Sequence, residues 1–549
     1  MILPRVKEYV STGETFTEEI CISPISAAGK KAKYYLETFC PARKIAEGED
    51  ATVHFENKDM AAGAYTLSVK KNGIFIGYGD TEGLRNAIAS LSFLIKKDGI
   101  DCAEIKDAPD HTFRACLLDL ARGYVAMDAL KEHIVRMAKL KYSVLHLHLM
   151  DWQTYCLESD VVPNPDGHKL YSKDDMRELI TLAINLGLEV IPEIEFPCHA
   201  VNQLKALPQL GCDIIDKRAA IEKVRAATGD RKMQFVDADR CVSQWAVCMG
   251  KESTYEIYDR IIGEICELFP GKILHIGGDE FDFPSLAAHP HWDNCRACRE
   301  RMKSEGISSL REFYYYGLRR LYEIARAHGK RMALWNDQLD VFHPIDIPKE
   351  CIVYFWRGDI ITQEKGVLQA LLDQGFEVVN AHYRYTYFDH DGEMQENNIR
   401  TWTARTEFLG EGELDGKILG GMLSCWDFAI PEYAHNHYVL PPAMVLFSDR
   451  VWNDLPCEYD ESYRKAMFAA ISGDNEAGID MFRFFREILP PRCRHVRHFL
   501  EDVDLDSIEL AALEETIQRM DASQQSIHYG PLSVKELKRL LVCIHTAIK

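Results

Sequence analysis

Between residues 115 and 426 the chain returns eight times to a short, nearly unbroken apolar run of strand length. The runs are "ACLLDLA" from Ala115, "SVLHLHLM" from Ser143, "LEVIPEIE" from Leu188 and "KILHIGGDE" from Lys272. They continue with "RMALWND" from Arg331, "CIVYFWRG" from Cys351, "FEVVNAHY" from Phe376 and "ILGGMLSCW" from Ile418. Strands without polar alternation need cover on both faces, which is the situation in a parallel sheet. Most of the intervals carry helical periodicity. In one, Ser172 is placed to cap the first turn and Asp175 follows three residues on. Met176, Leu179, Ile180 and Ala183 then share a face, and Gly187 ends the segment. Eight such alternations predict an α/β fold, a closed (β/α)8 TIM barrel. An open doubly wound sheet competes, but no glycine fingerprint for a dinucleotide follows the first run. The connection after the third run is long, so an insertion is expected there.

The flanks differ in pattern. Residues 1–108 read as a small α+β domain. In it "AYTLSVKKNGIFIGYG" alternates apolar and polar residues around Asn72-Gly73, a tight-turn pair. "TEGLRNAIASLSFLI" then sets Leu84, Ile88 and Leu91 at helical spacing. "KDAPDH", residues 106–111, has the composition of a boundary, residues 109–454 hold the barrel, and 455–549 read as a helical C-terminal region.

Composition narrows the partners. The formal charge of −21 argues against nucleic acid or an anionic membrane surface, since phosphate recognition needs clustered Lys and Arg. No segment has the uninterrupted apolar length of a membrane span. The opening "MILPRVKEYVSTGETF" lacks the apolar core of a signal peptide. Seventeen cysteines, an odd number scattered through the elements, read as reduced thiols, and a cytoplasmic location is expected. Nothing in the pattern speaks to oligomeric state.

In a parallel barrel the active face lies at the C-terminal ends of the strands. Those ends carry Asp119 and Arg122, then Asp151, then Glu195 and His199, then the adjacent acids Asp279 and Glu280. Trp335 with Asp337, Trp356 with Arg357, residues 382–389 and Trp426 with Asp427 complete the series. A single tryptophan is usually core, but three of the chain's eight fall at equivalent ends. Aromatic faces beside carboxylates and arginine are the makings of a sugar pocket.

"HIGGDE", together with "FRACLLDLAR", "YSKDDMRELITLAINLGLEVIPEIEFPCHA", "WRG" and "YFD", closely resembles glycoside hydrolase family 20, the β-N-acetylhexosaminidases. The match runs in order over roughly residues 1–430, and its strongest motif is His275 to Glu280. The resemblance implies hydrolysis of terminal β-linked GlcNAc or GalNAc with retention, the substrate's own 2-acetamido group serving as nucleophile through an oxazolinium-like intermediate. It makes Glu280 the general acid and base and Asp279 the partner of the acetamido N–H. Gly277 and Gly278 would let the backbone turn so that both side chains reach one pocket. Arg114, in "FRA", would grip the C3 and C4 hydroxyls. Asp151 and His199 would support the catalytic pair, Trp335, Trp356 and Trp426 would wall the sugar, and Tyr387 and Asp389 would contact the acetamido group. For Asp151 and His199 the competing reading is a satisfied buried polar group.

The sequence departs from the family pattern in two places. "Asp151-Trp152-Gln153-Thr154" stands where the family often has DDQGW, and Trp426-Asp427-Phe428 stands where it has Trp, a small residue and Glu. The carboxylate for the outer hydroxyls is thus missing from its usual place, with Asp427 its nearest substitute. A disaccharide-releasing biosidase and a sulfated-GlcNAc hydrolase stay open as variants. A non-catalytic sugar-binding protein is the alternative of another class, although binding alone would not require a proton donor. The hydrolysis requires no cofactor and no metal. His289, His291, Cys295 and Cys298 could together bind one zinc ion, against the simpler reading of ordinary thiols.

Overall fold

The computed structural model describes residues 1–219, 236–237, 242–243, 246–281, 291–358, 366–388, 396–407, 414–426, 436–454 and 460–472. All eight apolar runs form strands: Phe113–Asp119, Val144–His148, Glu189–Phe196, Ile273–Gly277, Arg331–Trp335, Ile352–Phe355, Glu377–Asn380 and Ile418–Cys425. Each pairs in parallel with the next, and the eighth returns to the first through Met422↔Ala115 and its neighbours, closing the barrel. A two-residue strand, Tyr387–Phe388, runs beside the top of the eighth.

Alternation along the strands sorts the side chains. In the second strand Leu145 and Leu147 join the layer under the helices, which leaves His146 and His148 to the barrel interior. The interior apolar cluster takes Phe113, Ala115, Leu117, Val144, Ile191, Trp335, Tyr354 and Met422. The barrel is therefore filled, apolar toward its N-terminal end and polar above. The helix after the second strand spans Lys173–Asn185, and Ser172 and Asp175 form a reciprocal capping box. Gly187 follows it at φ +75°, a left-handed position that ends helices cheaply only for glycine. Pro208–Leu210, Val236–Asp237 and Val242–Ser243 are elements within the long connection after the third strand.

The N-terminal unit places the helices Ala27–Phe39 and Thr81–Leu94 with a mixed sheet. The strands Tyr65–Lys70 and Gly73–Tyr78 pair across Lys71 and Asn72, so the turn sits one residue before the expected pair. This unit meets the barrel through buried polar contacts. Lys141 reaches the carboxylate of Asp107 at 3.0 Å and the Tyr65 hydroxyl at 2.9 Å, and Trp452 Nε1 donates to the other Asp107 oxygen at 3.0 Å. Beyond residue 454, Glu461–Ser472 is helical, while the remainder of the expected helical region lies outside the described residues. No described helix is long and apolar enough to cross a membrane.

Candidate active site

The fourth strand ends in a backbone kink. Gly277 and Gly278 have φ of +66° and +90°, and Glu280 has φ +55°. A Cβ at Gly277 would collide with the Glu195 carboxylate, so both the turn and the close approach call for glycine there. Left-handed conformation at a non-glycine residue costs energy and concentrates at functional sites. Here it is held by two contacts: the Tyr314 hydroxyl donates to Gly278 O at 2.5 Å, and Glu280 N–H donates to Asp337 Oδ2 at 3.1 Å. The result brings both acids to one imidazole. His199 Nε2 lies 3.4 Å from a carboxylate oxygen of Asp279 and 3.4 Å from one of Glu280.

His199, itself at φ +54°, is oriented from behind by Asp151 Oδ1 at 3.1 Å. Burial would disfavour the imidazolium, but Asp151 and Asp279 outweigh it and hold the His199 pKa well above its ordinary value. Asp151 is wholly buried, and its second oxygen meets His148 Nε2 at 2.9 Å and Arg122 at 2.6 Å. Those cations outweigh the burial penalty and keep its carboxyl well below the usual range. Beneath lies Glu193, with oxygens 2.9 Å from His275 Nδ1, 2.9 Å from His148 Nδ1 and 3.0 Å from His146 Nε2. It also accepts from Trp335 Nε1 at 2.6 Å. Burial together with the neighbouring Asp279 charge raises the Glu195 pKa well above normal, so the interior is not a stack of like charges.

The aromatic residues form a connected wall. Trp356 and Tyr387 stack at 5.7 Å with 7° between planes, Tyr387 lies 5.9 Å from Trp426, and Trp426 lies 5.9 Å from Trp335. Trp356, Tyr387 and Trp426 are half-buried, as are Asp279 and Glu280. Asp279 Oδ1 is buried and finds no hydrogen-bond partner among the described residues. Such an acceptor is costly unless something bound satisfies it.

The structure thus brings together Asp279, Glu280, Asp151 and His199, and places Trp335, Trp356, Tyr387 and Trp426 in one connected aromatic wall at the same barrel end. Asp389, Asp427 and Phe428 lie outside the described residues. Arg114 is a correction. It is the second residue of the first strand and therefore stands at the N-terminal end of the barrel, away from the acids. Its guanidinium donates to the backbone oxygens of His111, Thr112 and Lys141 and to the Glu82 carboxylate, and it stacks over Trp452. Arg122, at the other end of that strand, occupies the place expected of Arg114. It pairs with Asp119 at 3.0 Å and Asp151 at 2.6 Å and lies over the Trp426 ring. Asp337 is a second residue to which no role was given from sequence. Besides the Glu280 N–H it accepts from Trp356 Nε1 at 3.1 Å and Arg357 at 3.0 Å, tying the acid to the aromatic wall. Both residues stood in the strand-end series, which was the available signal.

The profile of "Glycosyl hydrolase family 20, catalytic domain" matches residues 111–455, and that of "Glycosyl hydrolase family 20, domain 2" matches residues 16–108. The chain belongs to glycosyl hydrolase family 20. It is 30% identical over 269 residues to a beta-hexosaminidase of Porphyromonas gingivalis, a match covering 47% of this chain and 31% of that one. It is 28% identical over 362 residues to a beta-hexosaminidase of Vibrio furnissii, covering 61% of this chain and 54% of the relative. The chain therefore spans less than two thirds of the length of either relative. The crystal structure of a beta-N-acetylhexosaminidase from Bacteroides fragilis shares the fold, with a TM-score of 0.70 at 20% identity over 86% of this chain and 95% of that one.

Proposed function

We propose that the chain is a retaining exo-β-N-acetylhexosaminidase that hydrolyses terminal β-linked GlcNAc or GalNAc by substrate-assisted catalysis. The observation that carries this reading is the shared approach of Asp279 and Glu280 to His199, beside an aromatic wall, with Asp279 Oδ1 buried and without a donor among the described residues. In the first step the acetamido carbonyl oxygen forms a bond to the anomeric carbon as the glycosidic C–O bond breaks. Glu280 gives its proton to the departing oxygen. Asp279 accepts the acetamido N–H, which orients the attack and offsets the positive charge that grows on the ring. In the second step water adds to the anomeric carbon, Glu280 takes its proton, and the ring opens to restore the acetamide. Two inversions give net retention.

The surroundings support these roles. His199, held from behind by Asp151, faces both acids and keeps their carboxyl groups side by side. Arg122, steered by Asp119 and Asp151, offers donors to ring hydroxyls at the face lined by Trp426. Hydrolysis of 4-nitrophenyl N-acetyl-β-glucosaminide, with the β-anomer of GlcNAc as the first product seen by proton NMR, tests the proposal. Binding of GlcNAc without turnover would favour a sugar-binding protein instead. A panel of β-GlcNAc, β-GalNAc, sulfated GlcNAc and lacto-N-biose substrates assigns the specificity.

A further inference from the structure

The sequence grouped Cys295 and Cys298 with His289 and His291 as potential zinc ligands, but the fold gives the two cysteines other companions. Cys212, Cys248, Cys295 and Cys298 come from three separate stretches of chain, and their four sulfurs all lie within 4.8 Å of one another. Cys212 is 8% exposed and the other three are fully buried. His289 and the side chain of His291 are outside the described residues.

The spacing has a chemical meaning. Cys248 Sγ stands 3.7 Å from Cys295 Sγ and 3.5 Å from Cys298 Sγ, far beyond the roughly 2.05 Å of a disulfide. Four thiolates around a tetrahedral zinc, each at about 2.3 Å, lie about 3.8 Å apart. A cluster of several irons would hold its thiolates wider. Soft sulfur donors in this geometry discriminate against magnesium and calcium. The supporting backbone is equally specific. Cys295 stands directly before the helix Arg296–Ser304, and Cys298 lies in its first turn, so the two sulfurs are carried by one rigid element. Gly250 packs so closely on Ala297 and Cys298 that a Cβ would strike their backbone. Lys251 caps the Gly211 carbonyl at 2.6 Å and brings a positive charge near Cys212 and Cys248.

We propose that these four cysteines bind one structural zinc ion. With four protein ligands the ion keeps no open position, so its role is to fasten and not to react. What it fastens is informative. Cys212 and Cys248 belong to the long connection after the third barrel strand, and Cys295 and Cys298 to the connection after the fourth, which begins at the Asp279–Glu280 kink. From the same region Trp292 donates to Val247 O at 3.0 Å and stacks at 5.6 Å on Phe281, the residue after Glu280. Phe281 stacks in turn at 4.9 Å on Tyr314, whose hydroxyl holds Gly278. The zinc thus anchors the outer end of a ring stack whose inner end is the catalytic turn. The metal assignment itself is independent of the proposed hydrolysis.

The test is elemental analysis of the untagged full chain after desalting, with cobalt substitution as a second readout. The expected result is one zinc per chain, lost in Cys295→Ser/Cys298→Ser, and, for cobalt-loaded wild type, the sulfur-to-metal charge-transfer and tetrahedral d–d bands of a thiolate site. Should the double variant fail to accumulate, the wild-type metal content and cobalt spectrum decide alone. Zinc-free protein whose four thiols stay reactive after incubation with zinc would overturn the proposal, as would stoichiometric iron in place of zinc.

Discussion

Arg114 and Arg122 leave the same barrel strand at opposite ends and meet opposite surroundings. Arg114 is 1% exposed, with carbonyls, the Glu82 carboxylate and the Trp452 ring around it, and it closes the seam between the barrel and the N-terminal unit. At that seam Lys141 and Asp107 are also fully buried, paired and hydrogen-bonded. At the other end charge is left partly open. Asp279 and Glu280 keep side-chain exposures of 15% and 17%, the turn that carries them has left-handed backbone angles, and Asp279 retains a buried oxygen with no donor among the described residues. One end of the barrel has spent its polar groups on itself, and the other holds them ready for something bound. That contrast, more than the identity of the residues, separates a structural end from a reactive one.

The contrast can be broken most forcefully at Glu280. Glu280→Gln should lower kcat/KM by about 10³-fold, the scale of a lost general acid, with no change in melting temperature beyond error. Asp279→Asn should cost about 10²-fold or more, mostly in kcat. Near-normal rates in both would remove the reactive end altogether. The two arginines give the paired experiment. Arg122→Met should lose about 10²-fold in kcat/KM in the folded fraction, besides the stability lost by leaving the fully buried Asp119 and Asp151 without their cation. Arg114→Met should lose about 3 kcal/mol of stability by urea titration, because its partners stay buried, while the folded fraction keeps its kcat/KM. The reverse pattern would exchange the roles of the two ends.

Smaller effects sharpen the picture. Trp356→Ala should raise KM with a cost of about tenfold in kcat/KM, as expected for a lost aromatic face. The polar interior beneath the site should also show in the pH dependence of stability. Burial lowers the His148 pKa, but Glu193, Asp151 and Asp119 outweigh it and raise the value to about 10. A raised pKa stabilises the fold fully below the unfolded value of 6.5 and loses that contribution as pH climbs through about 10. The melting temperature should therefore decline over that window, and less steeply in His148→Asn. Identical slopes in the two proteins would contradict the charge network.

Most of the barrel was legible in the sequence because a parallel strand buried on both faces leaves a run that hardly any other element leaves, and all eight runs became strands. The helix at Lys173–Asn185 was equally readable, since its capping box and terminal glycine are local signals. The Gly277-Gly278 turn followed from the same local logic. Arg114 precedes the first apolar run, so its N-terminal place was readable too, and only the motif match put it among the sugar ligands. What the sequence concealed was long-range. Cys212 and Cys248 are 36 residues apart and meet Cys295 and Cys298 only through tertiary packing. Asp337 was visible at a strand end, but its hold on the Glu280 backbone is a matter of three dimensions.

The central claim is that the substrate's own amide displaces the leaving group. It is tested most directly by comparing aryl β-glucosaminides that carry N-acetyl, N-difluoroacetyl and N-trifluoroacetyl groups. Fluorine weakens the carbonyl oxygen as a nucleophile while changing its size little. The account predicts that kcat/KM falls stepwise, by roughly a hundredfold or more across the series, equivalent to about 2.7 kcal/mol on the barrier. A rate indifferent to fluorination would contradict it, because the amide would then be a bystander.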